Sequence, residues 1–286
     1  MSTDYGSRGA VDVCIEDGEW LDAHRSRLIR WRHYRPQLGA AAPLIIYSHG
    51  LGGSRRSGED WLAHWASWGI GALALQHPGT DEAAAGNSPL TLRHLLRSAT
   101  DKAQLASRQA DLMFALDAAE RQMAVSRFGI AGHSYGAVSA LRLIGEQRGM
   151  DDAAADPRIA AAILFSPSAR GGTTPMEQRF ANVTLPCLHL TGSADDGIGP
   201  GDIDAADRCL PYRHSRSPGQ LLLVLHGAGH LTFAGQGSGA ADHLRLLAAA
   251  SSAFWLSRLQ GDPEAGKWLA EELPARLAAR DHLSLR

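Results

Sequence analysis

Gly132-His133-Ser134-Tyr135-Gly136 sets a serine between two glycines, each two residues away. When an apolar strand precedes such a G-x-S-x-G and a helix follows it, the sharp turn lifts the serine hydroxyl out of a sheet for nucleophilic attack. Residues 128–131 are apolar and residues 137–147 carry helical patterning, so the context favours a nucleophile over a structural glycine turn. A serine hydroxyl is weakly nucleophilic at neutral pH. It needs a base within hydrogen-bond reach and an acid that orients that base.

On a strand-turn-helix scaffold of this kind the chain order is serine, acid, histidine. That order prunes the thirteen histidines. His133 adjoins the nucleophile, His49 precedes it and His189 lies within an apolar strand, which leaves His226 and His230. The strand at 221–225 runs into His226, whereas Gly227-Ala228-Gly229 is expected to form a flexible loop that brings His230 over the carboxyl edge of the sheet. His230 is therefore the expected base. The strand at 187–190 ends in Thr191-Gly192-Ser193-Ala194-Asp195-Asp196, and ligand chemistry on open α/β sheets collects at such strand ends. Only one of two adjacent carboxylates can orient the histidine; Asp195 is preferred, with Asp196 facing solvent or capping a helix. A tetrahedral intermediate also needs amide donors. Tyr135, directly after the nucleophile, supplies one, and Leu51 in Ser48-His49-Gly50-Leu51-Gly52-Gly53 is the expected second.

The elements that must position these residues alternate. Short apolar runs at 44–47, 70–75, 128–131, 159–165, 187–190 and 221–225 predict buried strands, with a more exposed strand at 28–34. Helical patterns at 57–68, 101–122, 137–147 and 240–259 lie between them. This alternation predicts an α/β fold with a mostly parallel central sheet and helices on both faces. One domain spanning 1–286 is expected, with a core at about 28–260 and a terminal helix at about 263–286. Only about twenty residues, 166–186, separate two of the strands, which leaves no room for a large cap domain.

Of the 286 residues 44% are hydrophobic and 20% charged, with formal net charge −2, the balance of a globular protein with no strong field for nucleic acid. The basic stretch Arg25 to Arg35 alternates with apolar residues as a solvated strand face would. Residues 1–18 carry no basic and apolar leader pattern, so a cytoplasmic location is expected, and no run approaches the roughly 20 apolar residues of a membrane span. Cys14, Cys187 and Cys209 are widely spaced and read as inert thiols. Trp61, Trp65 and Trp68 recur at helical spacing and read as a stripe packed on the sheet. Asp202, Asp204 and Asp207 lack the glycine and glutamate of a calcium loop. The glycines after residue 47 lack the lysine of a phosphate-binding loop.

At these residues the chain resembles the bacterial branch of the α/β-hydrolases that is similar to platelet-activating-factor acetylhydrolases and to dienelactone hydrolases. The likeness lies in Ser48-His49-Gly50-Leu51-Gly52-Gly53-Ser54-Arg55, His77-Pro78-Gly79-Thr80-Asp81, Gly129-Ile130-Ala131-Gly132-His133-Ser134-Tyr135-Gly136 and His230-Leu231-Thr232-Phe233, and covers most of residues 44–233. It implies Ser134 as nucleophile, Asp195 as acid and His230 as base. Dienelactone hydrolases proper have cysteine where this chain has Ser134. The expected activity is carboxylic ester hydrolysis through an acyl-enzyme, on a small-molecule ester of roughly two to six acyl carbons, with no cofactor and no metal. An acyltransferase and a non-catalytic binding protein on the same fold are the alternatives.

Overall fold

The structure is a computed structural model that describes residues 3–86, 101–149, 154–197, 204–235 and 237–286. Asp202, and residues 87–92 of the loop that follows His77, lie outside the described residues. One nine-stranded sheet organises the chain: β1 (Val13–Asp22), β2 (Arg27–Pro36), β3 (Ala42–Ser48), β4 (Gly71–Gln76), β5 (Val125–His133), β6 (Ile159–Phe165), β7 (Cys187–Ala194), β8 (Gln220–Gly229) and β9 (His282–Leu285). Their spatial order is β1-β2-β4-β3-β5-β6-β7-β8-β9. Strands β3 to β8 are mutually parallel, while β1, β2 and β9 join antiparallel.

The parallel strands are nearly continuous apolar runs because both faces are covered. Helices α1 (Glu59–Ser67) and α4 (Ala241–Trp255) cover one face. Helices α2 (Lys102–Gln122) and α3 (Tyr135–Leu143) cover the other. Successive residues of β3 divide between the two cores, Ile45 and Tyr47 into one and Leu44 and Ile46 into the other, as the pleat requires. The tryptophan stripe of α1 is core: Trp61 and Trp65 stack on Phe165 at centroid distances of 5.8 and 6.2 Å. Among the described residues no helix is long and apolar enough to cross a membrane.

Three elements differ from the sequence reading. Residues 13–22 form a strand that pairs along its whole length with β2. The cross-strand ion pairs Arg35–Glu16 (2.7 Å), Arg32–Asp17 (2.8 Å) and Arg30–Glu19 (3.7 Å) face solvent there. The last segment is helical only as far as Arg276 and ends in β9, because His282-Leu283-Ser284-Leu285 alternates with period two and pairs with β8. The expected loop 227–229 is instead the end of β8, carried on past a register shift between Gly192 and Ala194 of β7. The basic stretch also does more than face solvent, since Arg25 and Arg27 both reach the buried Asp111 of α2, at 2.8 and 2.7 Å.

Between β6 and β7 the chain makes a single helical turn, Met176–Arg179, and builds no cap domain. Buried Glu146 holds this connection through Arg179 (2.7 Å) and Arg148 (3.0 Å). Those arginines in turn donate to the carbonyls of Ser168, Ala169, Arg170 and Gly171.

Candidate active site

Strand β5 ends at His133, and helix α3 begins at Tyr135, so Ser134 alone makes the turn. Its φ of 54° and ψ of −116° lie in a region that costs a side-chain-bearing residue of the order of 1–3 kcal/mol. The flanking glycines make the turn possible by close approach. A Cβ on Gly132 would lie 2.4 Å from the carbonyl of Gly136, and one on Gly136 would lie 1.9 Å from that of Ser48. The Ser134 amide donates to Phe165 O (2.9 Å), and the side chain sits partly exposed at the N-terminus of α3.

His230 follows the last residue of β8, and Asp195 follows the last residue of β7. The structure brings them together: His230 Nδ1 lies 2.7 Å from Asp195 Oδ1. Nδ1–H donates to the carboxylate, which leaves Nε2 as the ring's acceptor. Asp195 is fully buried, and its other oxygen accepts from Ser166 Oγ (2.5 Å) and Thr191 Oγ1 (2.7 Å). Arg208 Nε lies 3.4 Å from Asp195 Oδ1, and the guanidinium also donates to the carbonyls of Asp195 and Ser166. Burial alone would raise the Asp195 carboxyl. The hydrogen bond from His230, the charge of Arg208 and the Ser166 hydroxyl outweigh it and hold Asp195 below the usual carboxylate range. Its neighbour Asp196 is exposed and accepts from the Ala205 amide.

His133 flanks His230. Its ring lies 4.7 Å from that of His230, and its Nε2–H donates to the His230 carbonyl at 3.2 Å. Burial, with the charge of His230 behind it, pushes His133 down to about 3, so it stays neutral and acts as a brace. His226 is exposed beside Ser193 and Arg280 and does not reach the site. In this resting geometry Ser134 Oγ makes no hydrogen bond among the described residues; contacts of this kind often tighten only once substrate binds.

The loop after β3 passes directly over the serine, since a Cβ on Gly50 would lie 3.5 Å from Ser134 Cβ. In that loop the Gly52 amide is used by Thr80 O (2.9 Å) and the Gly53 amide by Gly50 O (3.2 Å). The Leu51 N–H has no partner among the described residues, and Leu51 is partly exposed. Leu51 also packs with Leu105, Tyr135 and Val138 in a small apolar cluster separate from the two cores.

Sequence reasoning missed Ser166, Thr191 and Arg208 around Asp195. Ser166 stands next to the end of β6, a signal that was available, whereas Thr191 lies within β7. Arg208 comes from a turn with no motif of its own. Beneath the Leu51 loop lies a further buried chain of polar groups. Ser48 Oγ donates to His77 Nε2 (3.0 Å), and His77 Nδ1 donates to Asp111 (3.0 Å). All three residues are fully buried, so this serine, histidine and aspartate are scaffold.

This arrangement, a parallel sheet with an elbow serine after β5 and an acid and a histidine after later strands, is the α/β-hydrolase fold. Two solved structures of similar fold are those of a cold-adapted esterase from an Arctic intertidal metagenomic library, one bound to polyethylene glycol and one to zinc. Each is 19% identical to this chain, over 86% of this chain and 94% of the other, with TM-scores of 0.63 and 0.60. No family model matches the chain, and no curated protein matches it.

Proposed function

We propose that this protein is a serine carboxylesterase in which Ser134 is the nucleophile, His230 the base and Asp195 the acid. The observation that carries the reading is the 2.7 Å contact between His230 Nδ1 and Asp195 Oδ1, which leaves Nε2 as the ring's acceptor, in a histidine whose ring packs 4.7 Å from that of His133, the residue before the strained, partly exposed Ser134. Ser134 attacks the ester carbonyl while His230 takes its proton and passes it to the leaving alcohol; water then releases the acyl group by the same proton route in reverse. The amides of Leu51 and Tyr135 receive the oxyanion. The likeness to a cold-adapted esterase agrees with this chemistry.

The substrate we propose is a small ester of about two to six acyl carbons. The short β6–β7 connection builds no lid, and the apolar cluster of Leu51, Leu105, Tyr135 and Val138 is small. Each methylene of a longer chain would gain its full transfer energy of about 0.8 kcal/mol only if buried.

The test is Ser134→Ala with fluorophosphonate labelling and hydrolysis of p-nitrophenyl esters from acetate to palmitate. Loss of both label and turnover in a folded variant is the expected result, since removing such a nucleophile costs several orders of magnitude in rate. Label that persists would remove Ser134 from its role. A rate maximum at long chains would remove the short-chain substrate.

A further inference from the structure

Arg108, Arg179 and Arg208 are the largest fully buried cations among the described residues. Two of them meet a carboxylate, Arg179 with Glu146 at 2.7 Å and Arg208 with Asp195 at 3.4 Å. Arg108, from α2, meets none within ion-pair distance among the described residues. Its partners are neutral: Thr80 Oγ1 (2.8 Å), His49 O (2.7 Å), Gly50 O (3.4 Å) and Ser48 Oγ (3.4 Å), and its Nη2 also lies 3.1 Å from His49 Nδ1, the two nitrogens converging on Gly50 O. Its guanidinium carbon lies 4.8 Å from the centre of the Tyr135 ring. An unpaired buried charge is expensive, and neutral donors would serve to hold a loop at lower cost.

The partners say what the cation does. The Gly50 carbonyl and the Leu51 N–H belong to one planar trans peptide, so they point in opposite directions. Gly50 O is held inward twice, by His49 Nδ1–H at 2.6 Å and by Arg108 at 3.4 Å. The tautomer of His49 is fixed because its Nε2 accepts the His77 amide at 3.1 Å. Holding that carbonyl inward turns the Leu51 N–H outward, on the side where the loop passes Ser134.

We propose that Arg108 is a positioning residue of the oxyanion hole, which fixes the Leu51 amide through the His49 and Gly50 carbonyls and sets a positive charge, in contact with no carboxylate among the described residues, behind the peptide. That charge attracts the developing oxyanion more strongly than the neutral ester carbonyl, so it stabilises the transition state more than the bound ester. Burial pushes Arg108 down only to about 10, so it stays protonated at neutral pH. The inference rests on the esterase reading above.

The experiment compares Arg108→Met and Arg108→Lys with wild type in the full chain, with sites counted by fluorophosphonate titration. Hydrolysis of p-nitrophenyl acetate gives kcat per titrated site and KM, and a short-chain trifluoromethyl ketone reports affinity for a tetrahedral adduct. Arg108→Met is expected to lose about tenfold to a hundredfold in kcat per site, less than the roughly 10²–10³ of a lost oxyanion donor because the Leu51 amide itself remains, with KM within twofold. Ketone affinity falls by the same factor, and Arg108→Lys recovers part of both. A scaffold role would reduce the number of sites or the melting temperature while kcat per site stayed within threefold of wild type, and that result overturns the proposal. Should Arg108→Met not fold, Arg108→Lys decides by the same numbers: reduced kcat at constant KM supports the proposal, and unchanged kcat overturns it. Failure of both variants to fold also overturns it, because Arg108 is then a folding determinant. A wild type that neither hydrolyses esters nor takes the label refutes the esterase reading itself.

Discussion

Lowering the pH from 7 to 5 destabilises this protein through its buried histidines. His33, His49, His77, His133 and His189 are all buried. Burial, with the charge of Arg108 as the next contribution at His77, pushes His33, His77 and His189 down to about 4. His133 falls to about 3, and His49 lies well below the ordinary value. In the unfolded chain each returns to about 6.5. Between those values the unfolded state binds protons that the folded state does not, so stability rises with pH across the window from about 4 to 6.5. At pH 5 each of His33, His77, His133 and His189 costs the fold about 2 kcal/mol, and the four together about 8 kcal/mol, comparable with the whole stability of a typical domain, with His49 acting in the same direction. Water entry and relaxation reduce these figures, yet half of them still gives a large effect. Asp111 and Asp195 play no part in this window: their lowered values keep them ionised, and the stability they confer is lost only below about pH 4. Urea denaturation followed by circular dichroism at pH 7, 6 and 5 reads the slope. His189→Gln isolates one ring, chosen because His189 Nδ1 is buried without a hydrogen-bond partner among the described residues. It should flatten the slope between pH 6 and 5 by about 1.4 kcal/mol per pH unit. Stability that stays constant from pH 7 to 5, or an unchanged slope in His189→Gln, would refute the reasoning.

Three further outcomes are expected. Asp195→Asn lowers kcat by about 10⁴ through loss of the orienting carboxylate, whereas Asp196→Asn, on the exposed neighbour, stays within a few-fold of wild type in steady-state assays. Gly136→Ala sets a methyl 1.9 Å from the Ser48 carbonyl, a backbone contact that cannot swing away, and costs about 3 kcal/mol in calorimetric unfolding. Glu146→Ala leaves Arg179 buried without its carboxylate and costs about 3–5 kcal/mol, read as a lower urea midpoint.

What was legible in the sequence follows the range of the interactions concerned. Strands β3 to β7 announce themselves as apolar runs because burial on both faces is a local property of composition. Helix α2 was expected at 101–122 and forms at Lys102–Gln122 for the same kind of reason: Asp101 caps it by accepting from the Ala103 amide. The spacing also singled out Asp195 and His230, the pair that the fold brings into contact, and the Leu51 amide, which has no partner among the described residues. β1 escaped notice because half its residues face solvent and its partner lies across a turn. β9 escaped because four residues of alternation are outweighed by the alanines and leucines before them. Arg208 and Arg108 escaped for a different reason. A buried arginine is defined by where its donors end, on Asp195 O and Ser166 O or on His49 O and Gly50 O, and those carbonyls lie from about a dozen to some sixty residues away along the chain.

The two outermost strands of the sheet carry a consequence for how molecules of this protein behave when crowded together. A free sheet edge offers unpaired amides and carbonyls to any passing strand. Here the two edges are blunted by different means. β9 is only four residues long, too short a template for stable extension. β1 is ten residues long, but Glu16 and Asp17 alternate across its two faces and are tied to Arg35 and Arg32 on β2. Exposed pairs of this kind add little to folding. Their value is colloidal: a second molecule aligning on β1 would have to dehydrate fixed charges on both flanks of the strand, so sheet-to-sheet polymerisation is disfavoured.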